Sequence, residues 1–327
     1  MKITTRQLAL CAVLTALALG LSTLENLFPV TLFIPLPGVK LGLANIVTVF
    51  ALYQLGPLPA LCILAARCLL GSLFASIACG IIGTYIVTRR LVFISGGITH
   101  ASFGGVGIGL YTGLSPLLTA AIFSILSAFG VEWLSKRSDM REDSAIAVFW
   151  TFGMAVGIIF SFLAPGFTPD LSSFLFGNIL TITQSDIWLL AILSVVLAVF
   201  FALFLRPIVA IAFDREFARS QRIPVAAFEY LLMMFIALTI VSCLRMVGIV
   251  LAISLLTLPQ MTANLFTHNF KRIIWLSIGI GYVGCLGGLL LSYQLQVPSG
   301  ASIIFVSILI YTIAKLFRLM HSKERSI

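Results

Sequence analysis

Residues 89–109 read RRLVFISGGITHASFGGVGIG, an apolar, glycine-rich stretch that follows two arginines. About 20 apolar residues suffice to cross the hydrocarbon core of a bilayer as a helix. Similar stretches recur along the chain, which is 327 residues long, 60% hydrophobic and only 9% charged. Because backbone polar groups in lipid must bond to one another, these stretches are expected to be helical. The sequence therefore predicts an all-α, polytopic integral membrane helical bundle.

We predict about nine membrane spans from residue 70 onward, preceded by two or three helices in the first seventy residues. The spans are placed near residues 70–88, 91–111, 115–134, 145–164, 186–205, 226–244, 247–266, 273–292 and 301–318. The first apolar run, 7–24, resembles a signal peptide in length, but it lacks a clear small-residue cleavage site. It is therefore interpreted as a retained helix, followed by a second short span at 41–55.

Positive charge alternates from one loop to the next. One set of loops, together with the C-terminus, contains Arg89, Arg90, Lys136, Arg137, Arg141, Arg206, Arg215, Arg219, Arg222, Lys271, Arg272, Lys315, Arg318, Lys323 and Arg325. The opposite set contains only Arg245. Because lysine and arginine are enriched in cytoplasmic loops, this pattern predicts that the basic loops and the C-terminus face the cytoplasm. The net charge of +9 thus indicates topology and not a nucleic-acid partner.

Two longer connections have distinct patterns. The outward segment 164–186 is too polar to cross lipid and includes a short apolar piece, which favours a re-entrant or interfacial helix. The inward segment 206–224 has apolar residues at helical spacing between charged ones. It is predicted to form a surface helix that can meet a soluble partner, with a solvated connection as the alternative.

Few residues in the sequence are suited to binding a metal tightly. The six cysteines lie in apolar stretches without CxxC spacing, which argues against a disulfide framework or a thiolate site. Four acidic residues, Glu132, Asp170, Asp186 and Glu229, lie near predicted span ends, where we expect hydration. Asn178 and Gln184 are candidates for lining an outer entrance. A mostly uncharged path favours transient contact with a passing ion over tight storage.

Six strings in the second part of the chain resemble, in order, those of the ABC-3 family of metal permeases. They are IACGIIGTYIVTRRLVFISGGITHASFGGVGIG, REDSAIAVFWTFGMAVGII, FLFGNILTIT, FDREFARSQRIP, VGIVLAISLLTLPQMTAN and VPSGASIIF. The resemblance extends over residues 71–327 and implies a permease domain of a bacterial importer for zinc, manganese or iron, in the cytoplasmic (inner) membrane. Zinc is the first expectation, with manganese and iron next.

The resemblance suggests His100 as a metal ligand in the transport path. Imidazole nitrogen binds zinc, iron and manganese, and a histidine inside a membrane span is a functional candidate by default. The family has an acidic residue four positions earlier, where this chain has Gly96. The alternative for His100 is a packing hydrogen bond. The small and polar neighbours of His100 can keep the pore-facing side of the helix narrow, or they can allow another helix to pack closely against it. These neighbours are Gly96, Gly97, Thr99, Gly104 and Gly105.

The chain contains no GxxxxGK[ST] motif, so it is not expected to be an enzyme or to bind ATP through a P-loop. The resemblance implies a separate ABC ATPase that uses the ATP, an extracytoplasmic metal-binding protein and a homodimeric permease, with no cofactor bound by this chain. The proposed ATPase contact is an apolar anchor in a polar rim, formed by His268, Asn269, Phe270, Lys271 and Arg272. The alternative is an ordinary positive-inside loop.

Residues 1–70 resemble a different family. The string PGVKLGLANIVTVFALY at 37–53 is similar to the Gx transporter family, also known as heptaprenyl diphosphate synthase component I. The alternative function is therefore an ECF- or Gx-like subunit that captures a small molecule. A prenyl diphosphate synthase component is disfavoured because no DDxxD motif occurs. The join, a natural fusion or an assembly artefact, would require a short separate crossing between residues 56 and 70.

Overall fold

The computed structural model describes residues 43–137, 141–164 and 182–324, together with Ile179 and residues 9–10, 12–18 and 20. Its helices are α1 Leu43–Leu55, α2 Pro57–Thr88, α3 Val92–Thr112, α4 Pro116–Arg137, α5 Glu142–Leu163, α6 Gln184–Phe213, α7 Arg215–Ser220, α8 Val225–Leu255, α9 Leu258–Asn264, α10 Phe270–Leu295 and α11 Ser299–Glu324. No strand occurs in these described parts of the chain. The predicted all-α class is confirmed.

Among the residues that the structure describes, seven helical segments are long and apolar enough to cross a membrane. They are Pro57–Thr88, Pro116–Arg137, Glu142–Leu163, Ser185–Phe213, Val225–Leu244, Phe270–Leu295 and Ser299–Met320. Helix α3 has 21 residues, enough to span about 30 Å, but its glycines and hydroxyl residues lower its hydropathy. It packs against α4, α5 and α8, so it lies inside the bundle and needs less apolar surface.

The predicted spans 226–244 and 247–266 form one helix with a break, followed by a short helix. Gly248 interrupts α8 with φ 77° and ψ 172°, a backbone conformation that favours glycine. The second part of α8 then leads through Thr257 into α9. Discontinuous helices within a membrane bundle are typical of substrate paths in transporters.

Helix α9 is fixed to α2 by a buried amide. The Nε2 atom of Gln260 donates hydrogen bonds to the carbonyls of Cys79 at 2.8 Å and Leu255 at 3.1 Å. Gly83 makes room for this amide, because a Cβ at that position would lie 2.7 Å from the Gln260 Cδ atom. The Gln260 amide and the small Gly83 therefore hold α9 against the C-terminal third of α2.

The predicted short crossing between residues 56 and 70 is wrong. Helix α2 begins at Pro57 and continues for 32 residues to Thr88, through the proposed join at 70/71. Proline is tolerated in the first helical turn, where Pro57 and Pro59 lie, and no further proline occurs before the end of α2. Arg67 is buried in this helix and donates a hydrogen bond to the carbonyl of Ile182. The division into modules 1–70 and 71–327 stays a prediction.

Candidate functional site

His100 lies near the middle of α3, half-buried and stacked on an aromatic ring of α5. The imidazole and the Trp150 indole have centroids 4.4 Å apart and planes 7° apart. The Nδ1 atom of His100 is buried and has no hydrogen-bond partner in the described structure. A buried polar atom without a partner typically costs about 1–3 kcal/mol, so this nitrogen is suited to an ion or a water molecule. The alternative role considered for His100, a hydrogen bond that helps to pack the helices, is therefore not formed through Nδ1.

Gly96 lies one helical turn before His100 and is not tightly packed. A Cβ atom built there would lie 3.8 Å from Trp150 Cζ3 and 3.9 Å from Ile253 Cδ1, which are ordinary van der Waals separations. Position 96, where the family has an acidic residue, therefore faces a small space between α3, α5 and the second part of α8. Trp150 forms one wall of this space and also stacks on the imidazole. No sequence pattern singles out Trp150 beyond its place in the string 141–159.

The other glycines of α3 are helix-packing residues. A Cβ at Gly104 would lie 2.9 Å from the Gly153 carbonyl oxygen, and one at Gly105 would lie 2.5 Å from the Cα of Ala120. Gly97 packs closely against the side chain of Ile146. These approaches bring α3 against α4 and α5 at backbone distance, as small residues do in membrane bundles. These distances concern packing alone, and the pore-lining role of the glycines stays a prediction.

Thr99 is fully buried and bonds within its own helix. Its hydroxyl donates a hydrogen bond to the carbonyl of Ser95, and the Ser102 hydroxyl donates to the Thr99 carbonyl at 2.5 Å. These hydroxyls are therefore satisfied locally and do not point a free donor at His100. In the described part of the chain, no group of three or more His, Cys, Asp or Glu side chains could hold a metal ion. The arrangement thus offers one imidazole per chain and no multidentate cage.

Comparison with known proteins gives this architecture a family. Residues 63–318 match the ABC 3 transport family. The chain belongs to this family. A manganese transport system membrane protein MntC of Listeria monocytogenes is 33% identical over 265 residues, which cover 80% of this chain and 94% of that protein. An uncharacterized membrane protein of Synechocystis is 38% identical over 250 residues, covering 76% and 89%.

A solved structure has the same helical arrangement. The PsaBC structure from Streptococcus pneumoniae, in complex with Fab, superimposes with a TM-score of 0.70 at 26% sequence identity. The match covers 82% of this chain and 94% of that one. This member of the ABC 3 family is therefore a multi-pass membrane protein with the fold of known permeases.

Two acidic residues of this ABC 3 family chain are not hydrated, contrary to the prediction. Glu229 is 2% exposed and Glu132 is 1% exposed. Both lie at the end of the bundle where α2 and α4 end and α8 begins. We call this end of the bundle the basic end. The two carboxylates pair there with cationic side chains. Asp186 is also buried and accepts a hydrogen bond at 2.9 Å from the backbone of Thr183 at the start of α6. Asp170 and Asn178 lie outside the described residues, as does the side chain of Gln184.

Phe270, the predicted apolar anchor of the ATPase contact, is buried within the bundle, and the contact itself stays a prediction. Phe270 is 7% exposed and packs into the main hydrophobic core, because it lies on the inward face of the first turn of α10. Asn269 caps this helix by accepting hydrogen bonds from the backbone amides of Lys271 and Arg272. In the loop that precedes α10, the exposed aromatic side chain is that of Phe266, with an exposed fraction of 54%.

This loop is at the same end of the bundle as the buried acids. Gly80, about two turns before the end of α2, lies against Ile278, about two turns after the start of α10. A Cβ atom at Gly80 would be 3.2 Å from the backbone nitrogen of Ile278. The end of α2 and the start of α10 are therefore neighbours. His268, Lys271 and Arg272 are all exposed there.

Proposed function

We propose that the chain is the membrane permease of an ABC importer for divalent transition-metal ions, and that each ion contacts His100 in transit. The observation on which this rests is the half-buried imidazole of α3, whose Nδ1 atom is without a partner beside the space at Gly96. Imidazole is a suitable ligand for this class of cation. A site with one protein ligand per chain favours release, which conduction requires.

The cargo is proposed to be manganese or zinc, with iron as the third candidate. Manganese is supported by the name of the MntC relative. Zinc is supported by the chemistry of the site, since neutral imidazole suits zinc well and the harder manganese ion favours oxygen ligands such as the acid missing at Gly96. The expectation of zinc first stays a prediction. Both ions belong in the same experiment.

The working importer is proposed to contain two copies of this chain, two ABC ATPase subunits and an extracytoplasmic metal-binding protein. A second copy is proposed because one imidazole alone is a poor metal site, and a symmetric pair of chains would supply two. The assembly is placed in the bacterial cytoplasmic membrane, with the basic end and the C-terminus in the cytoplasm.

The function is tested by uptake into proteoliposomes that contain the permease, its ATPase and its metal-binding protein. We expect accumulation of Mn²⁺ or Zn²⁺ that requires hydrolysable ATP and the binding protein. Fe²⁺, Ca²⁺ and Mg²⁺ are measured beside them. If no transition-metal ion accumulates while the ATPase is active, the proposed cargo is wrong, and small organic substrates of the alternative Gx-like function become the next to test.

Orientation can be tested by cysteine labelling at exposed helix ends. Single substitutions Ser115→Cys and Gln294→Cys are expected to react with an impermeant maleimide added to intact cells, whereas Ser220→Cys and His268→Cys should react only after permeabilisation. The reason is that the last two lie at the basic end, which is assigned to the cytoplasm. The unsubstituted chain, with its own cysteines, is the background control. Labelling of both pairs from the same side would contradict the topology.

The corrected anchor gives a separate prediction for the ATPase contact. Replacing Phe266 by alanine is expected to weaken ATPase binding by about 30-fold, since an aromatic anchor in an interface contributes about 2 kcal/mol or more. Phe270→Ala should instead lower the amount of folded permease, because it leaves a cavity in the core. Lys271→Ala serves as the exposed control, with less than about a threefold effect. Affinity is measured by titrating ATPase onto permease in nanodiscs; normal binding by Phe266→Ala would remove this loop as the contact.

A further inference from the structure

The short helix α7 is attached to the bundle by very little apolar surface. Ala218 is its one buried residue, and it packs in a small cluster with Ile211 of α6 and Val225 of α8. Phe217 of α7 and Phe213, the last residue of α6, are exposed at 54% and 68%. A six-residue helix is too short to be stable by itself. Its position must therefore depend on specific polar contacts.

Those contacts converge on the buried carboxylate of Glu229 at the start of α8. Arg215, the first residue of α7, places its Nε atom 2.6 Å from Glu229 Oε1. Lys136 of α4 places its Nζ atom 2.9 Å from Glu229 Oε2, and Arg89 at the end of α2 places its Nη2 atom 3.5 Å from Oε1. One carboxylate thus joins α7 and α8 to the ends of α2 and α4.

Two further contacts extend the same network. Arg89 also donates a hydrogen bond from Nη1 to the carbonyl of Ile211 in α6, at 3.2 Å. Lys136 also pairs with Glu132, one turn earlier in α4, at 2.6 Å. The ends of α2, α4 and α6, together with the starts of α7 and α8, are therefore held by one connected set of charges. We call this set, Arg89, Glu132, Lys136, Arg215 and Glu229, the Glu229 cluster.

Stability alone does not explain such a cluster. Burying a carboxylate is costly, and an apolar replacement of the same shape often gives equal or greater stability. What charged groups with defined geometry add is a fixed arrangement of the elements that they join. In this chain, the element that would otherwise be loosely held is α7.

We propose that Glu229 is a positioning residue that clamps α7 to the basic ends of the membrane helices, so that movement imposed on α7 by the ATPase is transmitted to the bundle. The surface around α7 fits that partner, because it exposes the aromatic side chains of Phe213 and Phe217 together with the charged Glu216 and Arg219. It also lies at the same end as the start of α10. The transmission step rests on the proposed function, while the clamping of α7 does not.

The clamp is tested first on the permease alone, with a spin label at Phe217→Cys. Arg215→Gln removes the α7 side of the cluster and leaves Glu229 paired with Lys136 and Arg89, so the bundle should fold. We expect the label to become about threefold more mobile. Arg215→Lys should restore much of the order. The matched control is Glu216→Gln, which breaks the exposed 2.7 Å pair with Arg219 on the same helix and should leave mobility unchanged.

Transmission is tested in the reconstituted importer by the number of ATP molecules hydrolysed per metal ion transported. Arg215→Gln and Glu229→Gln should raise this ratio by about fivefold or more, with ATPase binding retained, while Asp143→Asn, which removes an exposed ion pair with Arg141 at the start of α5, keeps the wild-type ratio. Wild-type label mobility in Arg215→Gln would overturn the clamp. Increased mobility with an unchanged ratio would overturn the transmission step. If the wild-type importer moves no metal, the proposed function fails, and the labelling result still decides the clamp.

Discussion

Replacing His100 by alanine is expected to lower ATP-driven metal uptake by roughly one to two orders of magnitude, the range that disturbing a metal site typically produces. The physical reason is that the described path offers one imidazole nitrogen and no cluster of other ligands to replace it. Protein level, dimer formation and ATPase binding should remain normal, because the side chain is only half-buried. The measurement is initial uptake rate per folded importer.

The same experiment separates transport from packing. If His100 is a packing residue, the alanine variant should give less folded protein, and the fraction that remains should transport at the wild-type rate. Whereas His100→Ala removes a potential metal ligand, the substitution Gly96→Asp adds one. Its side chain enters a space where Cβ contacts are 3.8 Å and 3.9 Å, one turn from the imidazole. It is expected to tighten binding, shift preference toward manganese and slow turnover, because an oxygen ligand and a negative charge are added.

A methyl group added at Gly107 is expected to have the largest effect on folding. The new Cβ atom would lie 2.8 Å from the Cα and 2.9 Å from the carbonyl carbon of Gly157 in α5. Backbone atoms cannot move aside as a flexible side chain can, so Gly107→Ala should lower the free energy of unfolding by about 3 kcal/mol or prevent assembly. Gly96→Ala is the matched control on the same helix, with an expected change within about 0.5 kcal/mol.

This comparison is measured by the yield of monodisperse protein and its thermal stability in one detergent. Equal stability for the two alanine variants would show that α3 and α5 are not packed as closely as described. A loss confined to Gly107→Ala would support the close contact between Gly107 and Gly157. It would also separate the packing glycines of α3 from Gly96.

The sequence predicts much of this fold because lipid restricts the possibilities. Apolar runs of the right length must be helices, so α4, α5, α10 and α11 lie within a few residues of their predicted spans. The glycines of α3 also indicate close helix packing, since residues without side chains have few other uses in a membrane helix. Both inferences depend on local composition alone.

Contacts between distant segments could not be predicted in the same way. Glu229 was expected in water because acidic residues near span ends usually are; its burial depends on Arg89, Lys136 and Arg215 arriving from three other elements. Phe270 illustrates a second limit. A single aromatic residue in a helix start can face either the core or the partner, and the apolar pattern of its first turn does not distinguish the two.

Trp150 illustrates a third limit, because its position over His100 depends on how α5 packs against α3. In the sequence the two residues are separate members of two apolar strings. Only the tertiary structure brings the rings together. That contact in turn provides a probe for the site.

The most direct test of the central claim uses this indole as a reporter. The chain has four tryptophans, and the other three, Trp133, Trp188 and Trp275, are exposed and can be replaced by phenylalanine. In nanodiscs, Mn²⁺ bound at His100 should quench Trp150 fluorescence, since the paramagnetic ion would lie close to a ring stacked at 4.4 Å. We predict saturable quenching that disappears in His100→Ala. Quenching that is identical in the two proteins, or that never saturates, would contradict passage of the metal past His100.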